Sequence, residues 1–184
     1  MIEKAIIFAV NAHAGMNRKG KERPYILHPI EVMTIVAGLT DDAEVIAAAV
    51  LHDTVEDTKT TRNDVERAFG KRVARLVAAE SENKREELPA ASTWKLRKQE
   101  TIDHLKEADQ DVKLICLGDK LSNLREIARD YAASGEQLWE RFNQKDKALH
   151  GWYYGSVFRI LEQEFSGTPA IAEYRSLLRT VFEE

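Results

Sequence analysis

The chain has 184 residues with 27 Lys and Arg against 31 Asp and Glu, a formal net charge of −4 at pH 7. Its hydrophobic fraction of 43% is typical of a globular protein, and its acidic balance excludes the wrapping of duplex nucleic acid while allowing a local basic pocket for a phosphorylated ligand. One cysteine excludes an internal disulfide framework, and no apolar run reaches the roughly 20 residues of a membrane span. We therefore expect a cytoplasmic protein without a nucleic-acid or membrane partner.

Helices are predicted along the whole chain, because only four prolines and nine glycines interrupt stretches rich in Ala, Leu and charged residues. The basic segment 17–25 and the polar segment 80–93 are predicted loops, and no strand pattern stands out. Apolar residues at helical spacing predict helices over residues 3–14, 29–39, 40–52, 62–69, 71–79, 93–106, 112–128, one or two within 142–165, and 170–182. The prediction is an all-α helical bundle of one domain, 1–184, with residues 167–184 as a C-terminal helix packed on it.

Residues 51–57, LHDTVED, contain the most informative motif. Burying His52 and Asp53 at the end of an apolar helix costs several kcal/mol unless each side chain has a partner, and a divalent metal ion is the simplest one. Glu56 and Asp57 follow four residues after His52 and Asp53, so a continued helical turn brings this second acidic pair beside the metal. A solvated acidic helix end is the alternative; it accounts for the second pair better than for the first.

Two other positions can complete a metal site. His28 precedes Pro29 at a loop-to-helix junction, and Asp119 is an isolated carboxylate in an apolar helix, with Asn123 one turn later. Two imidazoles and two carboxylates suit manganese, iron or zinc better than calcium, and the lack of thiolates argues against a structural zinc site. The alternatives are a helix-start role for His28 and an arginine partner for Asp119.

These residues resemble a known pattern. The order His28, His52, Asp53 and Asp119 is similar to the metal-binding pattern of the HD-domain phosphohydrolases. Residues 18–29, the pair Glu56 and Asp57 and the segment 119–125, DKLSNLR, resemble the hydrolase domain of the RelA/SpoT alarmone enzymes. Within that family the chain is most similar to the stand-alone small alarmone hydrolases, a group that includes the metazoan SpoT homologue. The resemblance covers residues 3–165 and implies an HD-domain helical bundle.

The resemblance implies a Mn²⁺-dependent 3′-pyrophosphohydrolase that converts guanosine tetra- or pentaphosphate to GDP or GTP and pyrophosphate. His28, His52, Asp53 and Asp119 would bind one divalent ion. Glu56 and Asp57 would orient or deprotonate the attacking water and protonate the leaving ribose oxygen, with the two roles left undivided. Asn123 would bind the sugar or orient the site beside Asp119.

A polyphosphate substrate requires local cations in an acidic protein. The resemblance assigns Arg18 and Lys19 to the nucleotide, where guanidinium and aliphatic surfaces can sandwich a purine. Further predicted contacts are the basic residues Lys84, Lys95, Arg97 and Lys98. A solvated helix face is the alternative for each of these four. Tyr154, or Tyr153 beside it, is the predicted aromatic contact, whereas Tyr25 is expected to pack beneath His28 and Arg125 to pair with a carboxylate.

Two other functions stay open. A related phosphohydrolase could use the same ligands on the adenine alarmones (p)ppApp, on NADPH or on another nucleotide, because nothing in the sequence specifies guanine. A catalytically silent nucleotide-binding module is the second alternative, and the complete set of ligands and acids argues against it. The sequence leaves open the physiological metal and whether the chain forms a homo-oligomer.

Overall fold

The computed structural model describes residues 1–81, 85 and 87–183. These residues contain no β-strand, only an isolated antiparallel bridge between Asn17 and Pro24, so the all-α prediction is confirmed. The elements are α1 (Ile2–Ala12), α2 (Leu27–Ala37), α3 (Ala43–Leu51), α4 (Thr54–Asp57), α5 (Arg62–Phe69), α6 (Lys71–Glu80), α7 (Ala90–Glu107), α8 (Gln110–Ser134), a 3-10 helix (Gly135–Arg141), α9 (Lys147–Phe165) and α10 (Pro169–Phe182). No helix among them combines the length and the apolar character needed to cross a bilayer.

Helix boundaries follow the sequence most closely where a cap is encoded. α5 begins after Thr61, which forms a reciprocal capping box with Asp64, and ends at Gly70, whose φ of 93° favours glycine. Its predicted bounds are therefore confirmed. α8 is longer than predicted at both ends, and the 3-10 helix Gly135–Arg141 that follows it was not predicted.

The described residues divide into two compact units: those within 1–81 and 110–122, and those within 85–109 and 123–183. In the first unit α3 packs against α1, α2 and α6. All seven residues from Val45 to Leu51 are buried, so α3 is the central helix of this unit. This central position matters because His52 and Asp53 follow α3 directly.

In the second unit α9 packs against α7 and α10. The ring of His150 lies within 5.2 Å of the rings of Trp94, Trp139 and Phe142, which gives this unit an aromatic core. α10 begins with Thr168 as its N-cap, and it packs against α9. The prediction that all 184 residues form one domain stays a prediction.

Candidate metal centre

Four predicted ligands converge in the first unit. The Nε2 atom of His28 lies 3.1 Å from Oδ1 of Asp119 and 3.6 Å from Oδ2 of Asp53. The Nε2 atom of His52 lies 3.0 Å from the same Asp53 oxygen and 3.7 Å from the same Asp119 oxygen. Donor atoms of His28, His52 and Asp119 lie within 4.8 Å of one another, and all three residues are buried. The arrangement is a His/Asp site of the kind that holds a divalent metal ion.

Three segments bring these donors together. His28 lies in the first turn of α2, His52 is the C-cap of α3, Asp53 precedes α4, and Asp119 lies within α8. Gly118 allows α8 to approach α2 closely, because a Cβ atom there would lie 2.9 Å from Cγ2 of Val36. A glycine at this position therefore lets the helices that carry His28 and Asp119 lie close together.

The protonation pattern of His52 fits a metal ligand. Its Nδ1 lies 2.8 Å from the carbonyl oxygen of Ala49, an acceptor only, so Nδ1 carries the hydrogen and donates it. Its Nε2 is buried 3.0 Å from Oδ2 of Asp53 but makes no well-aligned hydrogen bond within the described residues. A buried nitrogen that faces two carboxylates is stabilised when a proton or a metal ion lies between them.

The charged groups of the site shift each other's pKa values. Burial opposes protonation of His52, but Asp53 and Asp119 outweigh it and raise the pKa of His52 well above its ordinary value. Burial likewise opposes ionisation of Asp119, and its neighbours, first among them Lys120, hold the pKa of that carboxyl well below its usual range. The pKa of Asp53 is lowered as well, because His52 outweighs the effect of burial. Two carboxylates ionised in a buried site attract positive charge, whether a proton or a metal ion.

Tyr25 links this centre to the second acidic pair. Its hydroxyl lies 2.6 Å from Oδ2 of Asp53 and 2.9 Å from Oδ2 of Asp57. The turn predicted after Asp53 persists as α4, where the amide of Asp57 donates to the carbonyl of Asp53 at 2.9 Å. Burial and the two carboxylates all raise the pKa of Tyr25, so the hydroxyl stays protonated and donates. Tyr25 was predicted only to pack beneath His28, and its hydrogen bonds to the two carboxylates were not predicted.

Two further residues border the centre without having been predicted. The ring of His13 is buried and lies 4.9 Å from the ring of Tyr25. Glu80, at the end of α6, is half-buried; burial raises its pKa to about 7, with Lys120 acting against this and Asp119 adding to it. The ammonium group of Lys120 contacts Oδ2 of Asp119, so this carboxylate has a lysine partner. No local pattern distinguishes Glu80 or His13, since only the packing of α6 and α1 brings them near the site.

The first predicted substrate loop lies beside Tyr25. The amide of Arg18 donates to the carbonyl of Arg23, and the amide of Tyr25 donates to the carbonyl of Met16, at 2.8 and 2.9 Å respectively. This folded loop holds the Arg18 guanidinium 5.5 Å from the Tyr25 ring centre. Lys19 is exposed beside it. Glu56 lies on α4 and is partly exposed.

The other predicted substrate contacts have different surroundings. Lys84 lies outside the described residues, and Asn123 follows Asp119 by one helical turn on α8. In the second unit, the Lys95 ammonium lies 6.0 Å from the Trp152 ring centre, and Tyr154 is buried with its ring stacked on Phe182. Their contact with substrate stays a prediction.

The remaining basic residues of this group also lie in the second unit. Lys98 lies 5.1 Å from the Tyr153 ring centre, and Arg97 donates to the hydroxyl of Thr93 on its own helix. Arg125 forms two 2.7 Å hydrogen bonds to Glu173, which confirms its predicted carboxylate pairing.

The fold and the site define a helical metal-site protein, and the HD domain family model matches residues 5–147, so this chain belongs to the HD domain family. It is 41% identical to guanosine-3′,5′-bis(diphosphate) 3′-pyrophosphohydrolase MESH1 of Danio rerio over 153 residues. This match covers 80% of this chain and 82% of that protein. The Homo sapiens protein of the same name is 42% identical over 130 residues, 68% of this chain and 69% of its own. A solved structure of a metazoan ortholog of SpoT that hydrolyses ppGpp matches with a TM-score of 0.77 and 27% identity, over 100% of this chain and 96% of the other.

Proposed function

We propose that this chain is a metal-dependent (p)ppGpp 3′-pyrophosphohydrolase, which converts guanosine tetra- or pentaphosphate and water to GDP or GTP and pyrophosphate. The observation that carries the proposal is the buried convergence of His28, His52, Asp53 and Asp119, in which Nε2 of each histidine faces both carboxylates. The named activity of relatives 41% and 42% identical to this chain identifies the nucleotide substrate.

We propose Mn²⁺ as the bound ion, because two imidazole nitrogens and two carboxylate oxygens form a mixed donor set that suits it better than calcium. Such an ion lowers the pKa of water and polarises a phosphoryl oxygen. His28, His52, Asp53 and Asp119 would hold it, and Lys120 partly balances the charge of Asp119. These ligand assignments rest on the distances among the four side chains.

Proton transfer is assigned to the pair Glu56 and Asp57 on α4. As water attacks the phosphorus atom attached to the ribose 3′ oxygen, the P–O3′ bond breaks, water loses a proton and the ribose oxygen gains one. One carboxylate of the pair accepts the proton from water, and the other carboxyl group supplies the proton that the ribose oxygen gains. The hydrogen bond between Tyr25 and Asp57 supports this assignment, because it holds that carboxylate next to a metal ligand.

Arg18 and Lys19 are the proposed contacts to the nucleotide, together with Asn123, Lys84, Lys95 and Tyr154. Arg18 carries the strongest support, since its guanidinium lies over Tyr25 beside the proposed acids. Replacing Arg18 with Ala should chiefly raise KM. We also propose that the chain acts in the cytoplasm without a nucleic-acid partner; its oligomeric state stays open.

A substrate panel tests the function. Purified protein with added Mn²⁺ is incubated with guanosine and adenosine tetraphosphates, NADPH and simple 5′-nucleotides, and pyrophosphate and orthophosphate are measured separately. Pyrophosphate from the guanosine substrate is expected. Release of orthophosphate from NADPH alone would assign the chain to another phosphohydrolase, faster cleavage of the adenosine substrate would reverse the proposed base preference, and binding without turnover would indicate a silent module.

Two variants separate the proposed roles. Asp53→Ala should abolish both Mn²⁺ binding and hydrolysis, because it removes a ligand from the buried site. Glu56→Gln should still bind Mn²⁺ but lower kcat by about 10²–10⁴-fold, the contribution of a positioned acid–base group. Mn²⁺ binding is measured by isothermal titration calorimetry and kcat by pyrophosphate release. Loss of the metal from Glu56→Gln would show that Glu56 is a ligand and not an acid–base group.

A further inference from the structure

A chain of hydrogen bonds leads away from the metal centre. The Nδ1 atom of His28 lies 2.9 Å from the hydroxyl oxygen of Ser122. That hydroxyl in turn donates to Oε2 of Glu31 at 2.9 Å. Ser122 is 2% exposed, whereas Glu31 is partly exposed, so the chain runs from a buried imidazole to a carboxylate near the surface.

The hydrogen-bond partners of Ser122 decide which ring nitrogen of His28 carries the hydrogen. An ionised carboxylate only accepts hydrogen bonds, so the single hydroxyl hydrogen of Ser122 points to Glu31. The Ser122 oxygen can then only accept from His28, and Nδ1 must carry the ring hydrogen. This leaves Nε2 of His28 as the ring nitrogen that faces the carboxylates of Asp53 and Asp119, the position from which it can bind a cation.

The four residues involved repeat one spacing on two helices. On α2, Glu31 follows His28 by three residues, and on α8, Ser122 follows Asp119 by three residues. Residues three apart lie on the same face of a helix, so each helix presents one proposed ligand and, one turn later, one member of the hydrogen-bond chain. The close approach at Gly118 brings the two faces into contact.

We propose that Ser122 and Glu31 are positioning residues for His28, which fix its tautomer and ring orientation and so increase the affinity of the centre for a divalent ion. A carboxylate behind the hydroxyl also makes the imidazole a stronger donor through Nε2. The proposal rests on the metal centre of the proposed function. It assigns no contact between these two residues and the substrate.

The test measures Mn²⁺ affinity in the absence of substrate. Metal-free wild type, Ser122→Ala and Glu31→Gln are titrated with Mn²⁺ by isothermal titration calorimetry at one pH. We expect Ser122→Ala to weaken binding by about 10–100-fold, the usual effect of removing a hydrogen-bond partner of a ligand. Glu31→Gln should weaken binding by less, because the amide oxygen still accepts from Ser122 but has no charge.

Thr34→Ala is the matched control, since Thr34 lies on the same helix as Glu31 and its hydroxyl donates to the carbonyl of Ile30 at 2.8 Å, a hydrogen bond within that helix. It should bind Mn²⁺ like the wild type. The metal-free unfolding temperature is recorded for each protein. A purely structural role would lower this temperature without changing the dissociation constant.

Several results would overturn the proposal. The first is wild-type Mn²⁺ affinity in both Ser122→Ala and Glu31→Gln. The second is a loss of Mn²⁺ affinity in Thr34→Ala as large as in Ser122→Ala. The third is the absence of Mn²⁺ binding by the wild type. If Ser122→Ala does not fold, the partly exposed Glu31→Gln decides the matter. If the wild type binds Mn²⁺ but releases no pyrophosphate from ppGpp, the proposed function is contradicted and this proposal stands. If the wild type releases pyrophosphate and both variants bind Mn²⁺ with wild-type affinity, this proposal is contradicted and the proposed function stands.

Discussion

Individual side chains in the centre combine burial with charge. His28, His52 and Asp119 are at most 6% exposed, yet each is a polar group that costs free energy to bury without a partner. Outer hydrogen bonds satisfy one ring nitrogen of each histidine, through Ser122 and the Ala49 carbonyl. The other nitrogen of each ring faces the carboxylates. The residues around the centre therefore orient the donors and leave the cation as their common partner.

Tyr25→Phe tests the link between the metal centre and Asp57. The variant keeps the ring beside His13 and Arg18 but removes the hydroxyl that lies between Asp53 and Asp57. Since the carboxylates lose their common donor, kcat at saturating Mn²⁺ should fall by about 10–100-fold. Pyrophosphate release under steady-state conditions measures it.

Tyr131→Phe is the control for this change. It removes a hydroxyl that donates to Oε1 of Glu136 at 2.8 Å, in the second unit. Its kcat should match the wild type. Equal kcat values for Tyr25→Phe and the wild type would contradict a role for the Tyr25 hydroxyl in positioning Asp57.

At the scale of the element, α3 depends on the charges at its start. Oδ1 of Asp42 accepts from the amides of Glu44 and Val45, and Arg72 of α6 donates to both oxygens of Asp42 at 3.1 and 2.8 Å. Arg72 also binds Glu44 and, on α8, Asp111. The helix that ends at the proposed metal ligands is thus held at its other end by the guanidinium group of Arg72.

Asp42→Asn and Asp42→Ala separate the cap from the charge. Ala should lower the free energy of unfolding by about 1 kcal/mol through loss of the cap, whereas Asn still caps the helix. The hydrogen bond from Arg72 lowers the pKa of Asp42 below its ordinary value of 3.8. A lowered folded-state pKa stabilises the protein above pH 3.8, and this contribution is lost as the pH falls through the folded-state pKa.

Urea unfolding of the wild type and Asp42→Asn over a pH series measures the charge effect. The wild type should be the more stable protein near neutral pH, and the difference should shrink as the pH falls below 3.8. A difference that stays constant over this range would mean that the carboxylate charge does not contribute.

The helices themselves were largely predictable from local signals. Helix starts are marked by N-cap side chains that accept hydrogen bonds from nearby amides, as in Asp42, Thr61 and Thr168. The end of α5 is marked by the backbone conformation of Gly70, and the spacing of apolar residues indicates the buried faces of the helices. The 3-10 helix Gly135–Arg141 was not predicted, because its start has no side-chain cap and its apolar residues do not repeat with a helical period.

At the scale of the whole molecule, metal binding should couple to stability. The proposed ligands come from α2, the end of α3 and α8, so a bound ion joins segments that are separate in the unfolded chain. At a free Mn²⁺ concentration of 100 times Kd, binding should stabilise the folded state by about 2.7 kcal/mol and raise the unfolding temperature by roughly 5–10 °C. A chelator should reverse the shift.

Calorimetry of the wild type and Asp53→Ala measures this effect. Asp53→Ala should show no Mn²⁺-dependent shift of the unfolding temperature, and an equal shift in both proteins would mean that the ion binds elsewhere.

We also propose that the chain unfolds as one domain, in a single calorimetric transition. Two separate transitions would indicate that the two compact units unfold independently.

Sequence alone determined the all-α class, the main helices, the family resemblance and the identity of the four proposed ligands. Helix periodicity, capping and sequence motifs each depend on residues that are close together in the chain, so they can be recognised without the tertiary structure. Tertiary structure alone decided the contacts of Tyr25, the place of Glu80 and the hydrogen-bond chain from His28 through Ser122 to Glu31. His28 and Ser122 are 94 residues apart, and Tyr25 and Asp53 are 28 apart. Such contacts depend on how closely helices pack, here through the missing side chain of Gly118, and no local pattern encodes that distance.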